Sequence, residues 1–121
     1  MRDINIPKIY VEDIIGITFN GDGDVGIKYN YNEKVVVLMF CSVYYFDYCE
    51  WDYINDTDWK FGLVEYKQSK LLDDIFSRVN SVFLRNSFGG EREKIYHYKL
   101  AIDDWGIYNI VCKDFCYTII K

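Results

Sequence analysis

The sequence predicts an α+β domain: a mainly antiparallel curved sheet, a half-barrel or sandwich of about seven strands, with one packed α-helix over residues 69–83. Three observations carry this. Short runs rich in Val, Ile, Tyr and Phe recur along the chain, bounded by Gly- and Asp-containing turns. One stretch alone has helical spacing. The 121 residues are half apolar with a single proline, which suits one domain spanning 1–121 around its own core.

"IIGITF" (14–19) reads as the first clear strand, and "VGIKYNY" (25–31) alternates with the two-residue rhythm of a half-buried one. "EKVVVLMFCSVYYF" (33–46) is apolar on both faces, as a covered central strand is. Residues 47–58, "DYCEWDYINDTD", break the rhythm, and "WKFGLVEYK" (59–67) resumes as a strand. Ser69 suits a helix N-cap, with Asp73 and Asp74 near the positive end of the dipole. Leu71, Leu72, Ile75, Phe76, Val79 and Phe83 form its buried stripe. "RNSFGGERE" (85–93) reads as a loop. "KIYHYKLAI" and "GIYNIVCK" flank the turn Asp103-Asp104-Trp105-Gly106, and "FCYTII" is a last strand. Tight turns pair strands antiparallel, and one helix covers only part of a large sheet.

Composition narrows the function. The net charge is -5 and the pI about 4.8, so the surface repels phosphate backbones and attracts basic partners. Nucleic acid is therefore excluded as an expected partner. Aromatic residues make up 19% of the chain, more than one small core hides, and exposed Tyr and Trp favour protein interfaces. No apolar run reaches membrane-span length, and the acid-containing start "MRDINIPKIYVEDIIG" has no signal-peptide character. A cytoplasmic setting with reduced thiols is the expectation.

Four features suggest chemistry. "GDGDVG" (21–26) has the glycine spacing of a dinucleotide loop, but strand rather than helix comes after it, and Asp22 and Asp24 repel phosphate. As a calcium loop starting at Asn20 it lacks the glycine at position six, Val25, and the glutamate at position twelve, Tyr31. A tight hairpin between 19 and 25 is the expected role. Cys41, Cys49, Cys112 and Cys116 lack zinc-knuckle spacing, and Cys41 and Cys112 sit in apolar strands. His97, the sole histidine, lies between Tyr96 and Tyr98 in a strand and reads as a packed or hydrogen-bonded residue. The acid pairs Asp56/Asp58, Asp73/Asp74 and Asp103/Asp104 fall in solvated loops and at a helix start. No catalytic residue, cofactor or metal is expected.

The segment 44–59, "YYFDYCEWDYINDTDW", joins acids to large rings. It reads as a partner-binding patch, with Trp and Tyr as desolvated anchors and carboxylates facing Arg or Lys. Its candidate residues are Tyr48, Glu50, Trp51, Asp52, Tyr53, Asp56, Asp58 and Trp59.

The tail "IYHYKLAIDDWGIYNIVCKDF" resembles a pattern in small uncharacterised bacterial proteins: an H-Y-x-L strand, a D-D-x-G turn and a further strand. Some of these resemble immunity proteins encoded beside secreted polymorphic toxins. The resemblance covers the last quarter and part of 35–67, and its motifs are structural. It implies a non-enzymatic domain that neutralises a basic toxin by binding it, with no catalytic residue to carry across. Two rival expectations stand beside this: a self-associating structural or regulatory module using 44–59 as a homodimer interface, and a small-ligand-binding or enzymatic half-barrel near His97 and the cysteines.

Overall fold

In the computed structural model, which describes residues 2–50, 61–78 and 95–120, the expected α+β class is present as one seven-stranded antiparallel sheet with one helix among those residues. The strands are β1 (Arg2–Ile4), β2 (Ile14–Phe19), β3 (Val25–Tyr31), β4 (Lys34–Glu50), β5 (Gly62–Tyr66), β6 (Tyr96–Ile102) and β7 (Gly106–Ile120), and the helix is α1 (Lys70–Arg78). Their order across the sheet is β1-β5-β6-β7-β4-β3-β2, every pair antiparallel.

Alternation decides which residues go inside. Ile27 and Tyr29 of β3, Val36, Leu38 and Phe40 of β4, Leu100 and Ile102 of β6, and Ile110 and Cys112 of β7 all point to one face and are buried there. Each large apolar side chain buried this way stabilises the fold by roughly 1.5–3 kcal/mol relative to exposure. The chain between β1 and β2 crosses this core face. Ile6, Ile9 and Val11 pack into the core, and the Tyr29 hydroxyl donates to the Pro7 carbonyl at 2.6 Å.

The helix lies against the opposite face. Leu72 is fully buried with Ile95 and Val111, and Leu71, Ile75, Phe76, Tyr44 and Tyr45 pack around them. Ser69 caps the helix, its Oγ accepting the Leu72 amide at 3.1 Å, a bond of a type worth about 1 kcal/mol. The stripe residues Val79 and Phe83, with the rest of 79–83, lie outside the described residues, as does the expected 85–93 loop.

The stretch 20–24 turns a corner, as expected, and also holds the middle of β4. Asn20 Oδ1 accepts the amides of Asp22 and Asp24 at 2.9 and 3.1 Å, and Gly23 takes a positive φ of 86°. From this turn Asp24 Oδ1 accepts the Ser42 amide at 3.0 Å, and the Gly23 carbonyl accepts that of Val43 at 2.8 Å. Those two amides sit at a bulge in β4, where Ser42 has φ 56° and the register against β7 shifts between Val43 and Tyr45. A bulge bends its strand and sharpens the sheet's twist.

Several strand boundaries differ from the expectation. The rhythm does not break at 47, because β4 runs to Glu50 with Asp47–Glu50 paired to Asn109–Gly106. "FCYTII" is not a separate strand: β7 passes without interruption through Lys113 and Asp114, whose neighbours stay in ladder with β4. The three-residue strand β1 has no periodic signal in "RDI" and is fixed by pairing with Leu63–Glu65. β5 starts at Gly62, within the expected 59–67, of which 59 and 60 lie outside the described residues.

Candidate protein-binding surface

At one end of the sheet the last residues of β4 lie beside the β6–β7 turn. This pairing places Tyr48 opposite Tyr108 and Glu50 opposite Gly106. The approach is so close that a Cβ on Gly106 would collide with the Cys49 carbonyl and the Tyr48 ring, so only glycine fits. The turn itself is closed by the Trp105 amide bonding the Ile102 carbonyl at 3.2 Å, with Asp104 at φ 59°.

A row of rings results. Phe19 meets Phe46 edge-on with centroids 5.4 Å apart, and Phe46 lies 5.6 Å from Tyr108. Tyr48 stands 4.9 Å from Tyr108 and 5.4 Å from Trp105. Such pairs add about 0.5–1.5 kcal/mol each beyond area burial. Two hydrogen bonds fix Trp105: the Tyr48 hydroxyl donates to its carbonyl at 2.6 Å, and its indole N–H donates to the Tyr108 hydroxyl at 2.9 Å. Burial first, then the Glu50 charge, pushes the Tyr48 phenol above its ordinary pKa, which keeps it a donor. The row runs from buried Tyr108 to solvent at both ends, with Trp105 39% and Phe19 65% exposed.

Acids surround the row. Glu50, Asp103, Asp104 and Asp22 are exposed, and the segments that build this end, 19–24, 46–50 and 103–109, contain no Lys or Arg. Asp47 is committed elsewhere, on the helix face of the sheet.

There a polar chain crosses from helix to strand. His97, 3% exposed, has Nδ1 at 2.8 Å from Ser69 Oγ and Nε2 at 2.8 Å from Asn109 Oδ1. The Asn109 amide nitrogen donates to Asp47 Oδ1 at 2.9 Å, and the Tyr45 hydroxyl donates to Asp47 Oδ2 at 2.6 Å. Asp47 only accepts, so the Asn109 amide group faces it and its carbonyl faces His97. Nε2 therefore carries a proton, and in the neutral ring the Ser69 hydroxyl donates to Nδ1. His97 is packed and hydrogen-bonded, as the sequence suggests, and lies 5.5 Å from the Tyr66 ring. The chain anchors the helix start to the sheet.

Cys41, Cys112 and Cys116 lie along the β4–β7 ladder near Asp114, which pairs with Cys41. All four cysteines are free, and burial pushes the Cys112 thiol up to about 12 and raises Cys41 as well. Raised thiols are poor nucleophiles and poor metal ligands at neutral pH. Among the described residues no group of three or more His, Cys, Asp or Glu side chains is placed to hold a metal ion. A cleft of about 440 Å³ opens between residues 3–10, the start of β5 and the end of β6, and its lining includes neither His97 nor a cysteine. Among the described residues no helix is long and apolar enough to cross a membrane.

Of the eight residues named from sequence, Tyr48 and Glu50 belong to this end of the sheet. Trp51, Asp52, Tyr53, Asp56, Asp58 and Trp59 lie outside the described residues. Trp105, Asp103, Asp104, Phe46, Tyr108 and Phe19 join the site without having been named. The signal for the first three is present in "DDWG", an acid pair beside a tryptophan in a turn, the same combination that marks 47–58.

No protein-family model matches this chain, and neither a curated protein nor a solved structure is significantly similar to it.

Proposed function

We propose that the chain is a non-enzymatic binding domain whose acidic aromatic end captures a basic protein, in the manner of an immunity protein neutralising a toxin. The observation that carries this reading is the locking of Trp105. Bonded at both ends and stacked on Tyr48, it is a rigid ring that loses little entropy on binding. Rings of this kind with acids around them match the make-up of interface hot spots that receive Arg and Lys. The acidic field speeds encounter with a basic partner, which suits a role in which the target must be met quickly.

The test is co-expression with the protein that the neighbouring gene encodes, in a host whose growth that protein arrests. The expected result is restored growth with the wild-type chain and loss of protection with Trp105→Ala or the double reversal Asp103→Lys and Asp104→Lys, all three chains folding alike by circular dichroism. Absence of protection by the wild type, or equal protection by all three, removes the reading.

A further inference from the structure

We infer that the outer edge of β2 is a strand-addition site for an extended, basic-flanked segment of the partner, an inference that rests on the binding role proposed above. β2 is the last strand of the sheet, bonded to β3 on one side, and among the described residues no strand pairs with its other side. An open edge offers a row of backbone donors and acceptors, and proteins usually blunt it with charge, proline or brevity. The opposite edge is treated that way: β1 has three residues, and two of them, Arg2 and Asp3, are charged. β2 is six residues, "IIGITF", with no charge and no proline, and with Ile15 54% and Phe19 65% exposed. A register shift between Ile14 and Gly16 disturbs its start and leaves Gly16–Phe19 as a regular open stretch.

The surroundings define the occupant. Ile17 and Phe19 pair with Ile27 and Val25 on the core face, and Phe19 begins the ring row through Phe46. A strand laid alongside would place alternate apolar side chains next to these two and extend the row outward. Thr18, on the other face, is exposed and tolerates a polar neighbour. Beyond the stretch stand Asp22 at one end and Glu12 and Asp13 at the other. A second copy of this chain fits poorly. Twofold antiparallel pairing that sets Gly16 opposite Phe19 also sets Asp13 opposite Asp22, twice over, and like charges placed opposite each other are destabilising. Lys28 pairs with Gly16 and Lys8 lines a cleft with Asp13, so among the described residues these two bases stand at the Asp13 end and not beside Asp22. A foreign strand with Lys or Arg at its ends turns those same acids into attractions, and backbone pairing with side-chain alternation is an established mode of peptide capture.

The probe is the synthetic peptide acetyl-Lys-Lys-Val-Thr-Phe-Thr-Val-Lys-Lys-amide, titrated into isotope-labelled protein and followed by amide shifts and hydrogen exchange. The expected result is shift changes centred on 14–20, with amides there exchanging about tenfold more slowly when the peptide is bound. A peptide N-methylated at alternate residues keeps its side chains and loses one bonding edge, so its binding should vanish. The glutamate-flanked version should bind about tenfold more weakly at low salt. Phe19→Lys should abolish binding while leaving the fold intact. Equal binding by the methylated peptide, shifts confined to other residues, or a dimer in sedimentation that Phe19→Lys dissolves would each overturn the proposal. Loss of toxin protection in Trp105→Ala with full protection in Phe19→Lys would sink the edge site and leave the binding role standing. Peptide capture at β2 without any protection by the wild-type chain would do the reverse.

Discussion

Tyr48 and Trp105 are 57 positions apart in sequence, yet the hydroxyl of one donates to the carbonyl of the other at 2.6 Å while their rings lie 5.4 Å apart. The contact ties the end of β4 to the β6–β7 turn. Tyr48→Phe keeps the ring and removes the hydrogen bond, so it should lower stability by about 0.5–1.5 kcal/mol in urea unfolding. Tyr48→Ala loses the stacking on Tyr108 as well and should cost about 3–5 kcal/mol. Equal midpoints for the two variants would show that the ring contributes nothing beyond its hydroxyl.

Asp24, in the β2–β3 turn, accepts the Ser42 amide of β4. Asp24→Asn retains a carbonyl oxygen at that position and should be nearly neutral. Asp24→Ala leaves the amide without that partner and should cost about 1–3 kcal/mol. Calcium at millimolar concentration should leave the melting temperature of the wild type unchanged, since Asn20 Oδ1 and Asp24 Oδ1 are both committed to backbone amides. A calcium-induced rise in the melting temperature would restore the turn as an ion site.

Stability should fall at alkaline pH. Burial is the first cause of the raised values of Cys112, which reaches about 12, and of the Tyr29 and Tyr98 phenols; a hydrogen bond to Glu65 adds to the last. In the unfolded chain these groups lose protons from their ordinary values near 9 for a thiol and 10 for a phenol, while in the fold they stay neutral. Above pH 9 the unfolded state therefore binds fewer protons, and the slope of stability against pH is negative. Their contribution is complete below pH 9 and declines as pH rises through about 12. Urea midpoints measured from pH 7 to 11 should show this decline, made shallower by Cys112→Ala. A flat profile above pH 9 would contradict it.

The parts of the fold readable in advance are those with local causes. Asp103-Asp104-Trp105-Gly106 and Asn20–Asp24 are turns because of their own side-chain and φ preferences, and Ser69 is a cap because an apolar stripe at helical spacing begins two residues later. β1 has no such cause, for "RDI" becomes a strand only by lying against β5. The continuity of β7 across Lys113-Asp114 is likewise enforced by the ladder on β4. The proposed binding surface divides the same way. Tyr48 and Glu50 stand in an acidic aromatic run that composition reveals. Trp105 and Phe19 reach the same end only through pairings made far along the chain, and no window of sequence contains both partners.

The longest ladder in the sheet joins β4, ending at residue 50, to β7, which reaches Ile120. During synthesis, "KVVVLMFCSVYYF" therefore leaves the ribosome some seventy residues before the partner that covers it is complete, a lag counted from Glu50 to Ile120. A nascent chain paused in that interval exposes a long β-prone segment with nothing beside it on that edge. The acids from Asp47 to Asp58 emerge directly behind that run, and charge flanking a β-prone segment disfavours its association with another copy.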